Sequence, residues 1–219
     1  MKTHYSAIIP AAGLGRRLGR GPKGLLEICG RKLLDQLLDT LSPLVDEVII
    51  GIPSGYQEEF NHFASEKVKL FPGGKTRQET IELLLRQTTR DIILIQDAAR
   101  PFVRAVSIIQ VVEAATQYGA AGLFLDPSVP VAKIKDGFAI ESFSRDAVGI
   151  FQAPQAFRKE VLLDAIGKTQ GKTFQSTVEM VLAAGYRVKS IEGDPCNIKI
   201  TNEFDFGVAE KIIMKQLEK

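Results

Sequence analysis

The chain has 219 residues, 45% of them hydrophobic and 25% charged, with a formal net charge of +2. That length buries a real core, and so small a net charge excludes wholesale binding to DNA, RNA or an acidic membrane surface. Two cysteines, Cys29 and Cys196, are too few for a disulfide framework and not spaced as a metal knuckle, so they are read as reduced, partly buried thiols. The apolar run "AIIPAA" is broken by Pro10 and followed by basic residues, unlike a signal peptide, and no run reaches membrane-spanning length. The expectation is a cytoplasmic protein with no nucleic-acid or membrane partner.

In chain order, "SAIIPA" (6–11), "EVIIGI" (47–52), "VKLF" (68–71), "DIILIQ" (91–96) and "AGLFL" (121–125) read as strands. Several are apolar at every position, as in a parallel sheet covered on both faces. Between them, 31–44, 76–87 and 106–119 carry apolar residues at helical spacing. This alternation predicts an α/β fold, a doubly wound, mainly parallel twisted sheet with helices on both faces. The pattern changes at "VAKIKDGFAIESF" (131–143), two short segments around Asp136-Gly137, a dipeptide suited to a type I′ hairpin turn. An isolated hairpin is marginal in water, so this arm, about 130–146, must lie on something. "RVKSIEG" and "NIKIT" (197–201) return to strand character, and 202–219 read as a closing helix with Asn202 as N-cap. A single domain, 1–219, with a protruding arm is the simplest account.

The densest chemistry lies in "IIPAAGLGRRLGRGPKGLL" (8–26). The first acidic residue of the chain is Glu27, yet Arg16, Arg17, Arg20 and Lys23 are already packed around the glycines. Open α/β sheets bind ligands at the carboxyl ends of their strands. Gly13 and Gly15 let backbone N–H groups approach phosphate oxygens, and the cations supply charge. The loop is not a Walker A motif, because Lys23 sits in Pro-Lys-Gly rather than Gly-Lys-Ser/Thr. Nor is it a dinucleotide fingerprint: the spacing is Gly13-x-Gly15-x-x-x-Gly19, and the next strand ends without an acid, so an NAD-binding oxidoreductase fits poorly. Asp97 follows the buried run "IILI", which puts its carboxylate at the same sheet edge, where a lone carboxylate caps a turn or, beside a triphosphate, is placed to hold Mg²⁺.

The string "PAAGLGRRLGRGPKGLLEICGRKLL" resembles the signature of the sugar-phosphate nucleotidyltransferases, which have a Rossmann-like sheet. Among them it is most similar to the 2-C-methyl-D-erythritol 4-phosphate cytidylyltransferase family, with ribitol-5-phosphate cytidylyltransferases close by. The resemblance implies a loop wrapped around the triphosphate of CTP, contacted by Ala11, Ala12, Gly13 and Gly15. It assigns catalysis at the transferred phosphorus to Arg17 and Lys23. "PGGKTRQETI" (72–81) resembles the segment that closes over the cytosine, carrying Gly73, Gly74, Arg77 and Thr80, with threonine in place of serine. "QDAARPF" (96–102) implies metal and ribose contacts for Asp97, with Ala98 and Ala99 beside the nucleotide. Arg145, eight residues before Ala153-Pro154-Gln155, matches an arginine that leaves the arm of one subunit for the acceptor phosphate of the other. Lys199 in "NIKIT" matches a second acceptor-phosphate contact. The implied partners are CTP, a polyol phosphate and a second copy of the chain, and the implied cofactor is Mg²⁺ or another divalent cation.

The chain departs from the family mainly on the acceptor side. Pro130-Val131 replaces Asp-Thr, Ala153 replaces threonine, and Gln175-Ser176-Thr177 replaces Thr-Asp-Asp/Glu. Cys196 stands where an acid precedes Asn-x-Lys, with Asp194 two places upstream, and Gly24 replaces a glutamine. Three readings therefore stay open: transfer to methylerythritol phosphate, transfer to ribitol phosphate or another polyol phosphate, and non-catalytic nucleotide binding. The two histidines, His4 and His62, lie outside every motif, which argues against a Ser-His-Asp or phosphohistidine route.

Overall fold

The computed structural model describes residues 3–15 and 19–217, the last few of them, from 213 on, by backbone alone. Its centre is a seven-stranded sheet in the order β11-β7-β10-β6-β1-β4-β5. The strands are β1 (Tyr5–Pro10), β4 (Glu47–Ile52), β5 (Val68–Pro72), β6 (Ile92–Ile95), β7 (Ala120–Leu125), β10 (Ile150–Arg158) and β11 (Lys189–Glu192). Ladders β1–β4, β1–β6, β4–β5 and β7–β11 are parallel, while β10 runs antiparallel between β6 and β7. Two small hairpins stand apart, β2 (Glu27–Ile28) with β3 (Arg31–Lys32), and β8 (Val131–Lys135) with β9 (Phe138–Phe143).

Period-two alternation distributes the central strands between two cores. Ala7, Ile9, Val48, Ile50 and Leu94 face one side, where α1 (Leu33–Leu41) and α4 (Ala105–Tyr118) supply Leu34, Leu37, Ile108 and Val111. Ile8, Ile49, Ile93 and Ile95 face the other. That side is covered by α3 (Arg77–Leu85), α5 (Lys159–Lys168) and α6 (Thr177–Ala183) through Ile81, Leu84, Leu162 and Val181. These strands are apolar throughout because both faces are covered. The fold is thus the expected α/β, Rossmann-like, mainly parallel sheet with helices on both faces. The remaining helices are the short α2 (Gln57–Phe60) and the closing α7 (Glu203–Leu217). Asn202 caps α7 as expected, its Oδ1 accepting the N–H of Asp205 at 2.9 Å.

The hairpin of β8 and β9 matches the sequence reading to the residue, with Asp136 at φ 51° and Gly137 at φ 85° forming the turn. It carries exposed apolar side chains: Ile134 is 64% and Phe138 73% accessible.

Three expectations are corrected. "NIKIT" is not a strand: residues 197–201 form an irregular segment laid across the strand ends, tied by Ile200 N–H to the Ala99 carbonyl at 2.9 Å. Backbone groups that a ladder would use are taken elsewhere: Asn197 N–H donates to the Asp194 carbonyl at 2.9 Å, and the Asn197 carbonyl accepts from Arg100 Nη1, while the buried Asn197 side chain donates from Nδ2 to the Ala153 carbonyl at 2.7 Å. Both cysteines are exposed rather than partly buried, Cys29 at the corner of the first hairpin and Cys196 in that turn. Finally, β10 is a nine-residue strand in the middle of the sheet that the apolar patterning did not indicate. Its ladder to β7 breaks between Gln152 and Gln155, and the proline, which lacks an N–H, sits in that break after a cis bond.

Candidate active site

The carboxyl ends of β1, β5 and β6 open onto a cleft of about 540 Å³, within the usual size of a small-ligand pocket. The glycine-rich loop after β1 forms one wall with Ala11, Ala12, Gly13 and Gly15. Gly15 has φ +61°, and a Cβ there would fall 2.3 Å from the Gly21 carbonyl oxygen, so only glycine fits where the loop folds back on itself. Lys23, on the 3₁₀ turn that ends the loop, lines the cleft and donates from Nζ to the Ile200 carbonyl at 2.7 Å. Its side chain thereby joins the loop to the 197–201 segment.

The opposite wall is the amino end of α3. Thr76 caps it, accepting the Glu79 N–H at 3.0 Å, while the Glu79 carboxylate accepts the N–H of Lys75 at 2.7 Å. Gly74 and Arg77 line the cleft. Gly73 stands behind it, where a Cβ would lie 2.2 Å from Cβ of Ala12, so this close approach brings the two loops together. The Thr80 hydroxyl donates to the Thr76 carbonyl at 2.8 Å and accepts from Gly74 N–H at 3.0 Å, which fixes the loop's shape.

The floor is Asp97 with Ala98 and Ala99. Asp97 Oδ1 lies 3.1 Å from Arg77 Nη2; Oδ2 lies 2.8 Å from Lys199 Nζ and 3.9 Å from Arg100 Nε. Burial alone would push this carboxyl up, but Arg77, Lys199 and Arg100 together hold it well below the usual carboxylate range. Four cationic side chains, Lys23, Lys75, Arg77 and Lys199, line the cleft against this single carboxylate. The cleft is therefore strongly cationic in a chain of nearly balanced charge, and suited to a polyanion.

A second cleft of about 470 Å³ adjoins the first and shares Arg77, Asp97 and Lys199 with it. Its far wall is made of β10 and the start of α6. There Ser176 accepts the Glu179 N–H at 3.0 Å and the Glu179 carboxylate accepts Gln175 N–H at 2.7 Å, the same cap as on α3.

Most residues singled out in the sequence meet at these clefts: Ala11, Ala12, Gly13, Gly15, Lys23, Gly74, Arg77, Thr80, Asp97, Ala98 and Lys199. Arg16 and Arg17 lie outside the described residues. Arg20 does not join the cleft as the loop's charge pattern implied. Its guanidinium pairs with Glu203 at 2.9 Å and covers the Phe206 ring at 4.5 Å, an acid and an aromatic that only the fold brings near. Arg145 lines neither cleft; it stands at the foot of the arm with Nη1 3.4 Å from the Ser128 carbonyl oxygen. The sequence reading missed Lys75, though it sits inside the quoted "PGGK", and gave no site role to Arg100 or Gln155.

Mg²⁺ ordinarily binds through one or two carboxylates plus substrate phosphates and water. Asp97, one ionised carboxylate in a phosphate-sized cationic cleft, fits that mode. Asp194 does not supplement it: its carboxylate pairs with Arg104 at 2.6 Å and accepts the Cys196 N–H, away from both clefts. Among the described residues no group of three His, Cys, Asp or Glu could form an all-protein metal cage. His4 and His62 line neither cleft, and no helix among the described residues is long and apolar enough to cross a membrane.

Comparison with known proteins agrees with this geometry. The family profile described as IspD, 2-C-methyl-D-erythritol 4-phosphate cytidylyltransferase, matches residues 5–215. A protein of that name from Deinococcus radiodurans is 34% identical over 209 residues, covering 94% of this chain and 88% of the relative. The Thermus thermophilus relative is also 34% identical, over 94% of this chain and 96% of its own. Its solved structure superposes with a TM-score of 0.81 at 30% identity, covering 96% of this chain and 98% of that one. The Anaerococcus prevotii 4-diphosphocytidyl-2C-methyl-D-erythritol synthase reaches a TM-score of 0.86 at 25% identity, over 98% and 100%. With the fold, the cationic cleft and the full-length match in agreement, this chain belongs to the 2-C-methyl-D-erythritol 4-phosphate cytidylyltransferase family.

Proposed function

We propose that the protein transfers CMP from CTP to 2-C-methyl-D-erythritol 4-phosphate and releases pyrophosphate, a step of isoprenoid precursor synthesis by the non-mevalonate route. It is a CTP-dependent nucleotidyltransferase, acting as a single domain. The observation that carries this reading is the pair of adjoining clefts that share Asp97, Arg77 and Lys199: one suits a triphosphate, the other a small second substrate.

A phosphate oxygen of the acceptor attacks the α-phosphorus of CTP in line, the bond to the β-phosphate oxygen breaks, and pyrophosphate leaves. No covalent enzyme intermediate is needed, so catalysis is positioning plus charge neutralisation. The backbone of Gly13 and Gly15 holds the triphosphate, and Lys23 with Arg17 neutralises charge that builds on the transferred phosphoryl group. Gly73, Gly74 and the amino end of α3 close over the base. Lys199 orients the acceptor phosphate. Asp97 is the residue to hold Mg²⁺ or another divalent cation, which when bound neutralises phosphate charge and orients the leaving group.

The exposed apolar arm supports a homodimer in which Arg145 reaches the acceptor phosphate of the other subunit. A second reading, with ribitol phosphate or another polyol phosphate as acceptor, is favoured by one observation. Where the family has Thr-Asp-Asp/Glu this chain has Gln175-Ser176-Thr177, of which Ser176 is engaged in capping α6 and the Gln175 N–H in donating to Glu179.

Pyrophosphate release measured with CTP, UTP or ATP against a panel of polyol phosphates tests the assignment. The expected result is turnover with CTP and methylerythritol phosphate well above any other pair. Preference for ribitol phosphate selects the second reading, and no release with any pair contradicts both.

A further inference from the structure

Among the described residues four buried side-chain polar atoms have no hydrogen-bond partner: Gln96 Oε1, Arg100 Nε, Gln155 Oε1 and Asn197 Oδ1. Gln155 and Arg100 line the second cleft, and Gln96 and Asn197 do not. Gln155 sits on β10 directly after the break in the ladder, opposite Ile95 on one side and Gly122 on the other. Two residues further along the same face of the strand, Phe157 is fully buried in the core. Alternation therefore makes position 155 a place for an apolar side chain, yet it holds a glutamine that is only 5% exposed. Leaving a buried amide oxygen unpartnered is unfavourable, and such local violations concentrate at functional sites.

Arg100 completes the pattern. The residue is 8% exposed; Nη1 donates to the Asn197 carbonyl and Nη2 to the Phe151 carbonyl at 3.5 Å. That leaves Nε, 3.9 Å from Asp97 Oδ2, without a hydrogen bond. The cleft thus presents one buried orphan acceptor and one buried orphan donor. A phosphate can only accept and an ammonium can only donate, whereas a hydroxyl does both. Phosphate has its own cations at the rim shared by the two clefts, Lys199 and Arg77.

We propose that Gln155 is a specificity-determining residue: its amide, in the second cleft that Arg100 also lines, binds a carbinol hydroxyl of the acceptor. This rests on the cytidylyltransferase reading for its substrate. It is specific in its chemistry: the acceptor is selected as a polyol, by a hydroxyl remote from the attacking phosphate. A site built to hydrogen-bond a hydroxyl rejects analogues that lack it far more strongly than an apolar pocket rejects a change of size.

The test is Gln155→Met, which keeps length and removes the hydrogen bonds. The expected result is a fall in kcat/KM for the acceptor of about tenfold or more, with the KM for CTP within about twofold and thermal stability equal or raised. A structural glutamine would instead lose stability and move both substrates together, which would overturn the proposal, as would an unchanged acceptor kcat/KM. Wild-type protein supplies a check that needs no variant: at least one acceptor analogue lacking a single carbinol hydroxyl should lose tenfold or more, as expected of such a pocket. Equal use of every deoxy analogue would contradict the role. If the wild type releases no pyrophosphate with any pair, the functional reading fails, and calorimetric binding of methylerythritol phosphate and ribitol phosphate then tests Gln155 alone. Binding about tenfold weaker in the variant supports it; equal binding, or none to wild type, overturns it.

Discussion

Lys199 Nζ stands 2.8 Å from Oδ2 of Asp97, an ion pair across 102 positions of sequence that joins the irregular C-terminal segment to the end of a central strand. With Arg77 on the other oxygen, this pair forms the partition common to both clefts.

The partition sets a pH dependence. Because Arg77, Lys199 and Arg100 overcome the effect of burial, the folded-state pKa of Asp97 is depressed below its unfolded value. Its stabilising contribution is therefore complete above the unfolded value, about 4, and is lost as pH falls below that. Activity against pH should show no ionisation of Asp97 between pH 5 and neutrality, and Asp97→Asn should leave the shape of that limb unchanged while lowering turnover about a hundredfold, as expected for removing a transition-state contact. An acid limb above pH 5 that disappears in Asp97→Asn would contradict the ion-pair network.

Charge on the loop should matter for rate more than for folding. Lys23→Ala and Arg17→Ala are each expected to cut kcat by roughly two orders of magnitude or more, because the proposed mechanism sets both on charge that builds during transfer; thermal unfolding should be little changed in Arg17→Ala and lowered only by about the cost of one hydrogen bond, to the Ile200 carbonyl, in Lys23→Ala. Turnover and a melting curve measured on the same preparations check this. Turnover near wild type in either variant would remove that residue from the mechanism.

How much of this was legible in the sequence follows from how local each feature is. Residues 47–52 and the 131–143 hairpin were read to the residue, because a continuous apolar run and an Asp-Gly turn are determined by their own neighbours. β10 was not, because a proline inside it reads as a strand breaker, and only the break in its ladder to β7 accommodates that proline. "NIKIT" alternates like a strand but finds no ladder partner. Arg20 was grouped with the phosphate cations because nothing local reveals Glu203 and Phe206. The Ala11–Gly15 loop and Asp97 were legible because strand ends in such sheets converge on one edge. The orphaned amide of Gln155 needed three dimensions, since partners cannot be counted along a chain.

The arm offers a separate test. Ile134, Phe138 and Ile140 are all more than half exposed, a surface a two-stranded hairpin does not keep in water without a partner. Light scattering at micromolar concentration should give a dimer, and Phe138→Asp together with Ile140→Asp should give a monomer that has lost turnover with the acceptor. A wild-type monomer would remove the dimer and, with it, Arg145 acting between subunits.

An alkaline limit should come from Tyr5. Burial first, and then the nearby Asp46 carboxylate, push its phenol up to about 12. A folded pKa above the unfolded value of about 10 means that stability is present below pH 10 and falls as pH rises toward 12. The loss attributable to this group is roughly 2 to 3 kcal/mol, and Tyr5→Phe should flatten that part of the stability curve. Denaturant unfolding at pH 9 and pH 11.5 measures it; identical slopes in the two proteins would refute it.

The most direct test of the central claim is a crystal structure of the protein with CTP and Mg²⁺. The account predicts the triphosphate against the backbone of Gly13 and Gly15, with Lys23 and Arg17 on its oxygens and the α-phosphorus on the Asp97 side of the cleft. A nucleotide bound elsewhere, or a triphosphate turned away from Asp97 and Lys199, would contradict it.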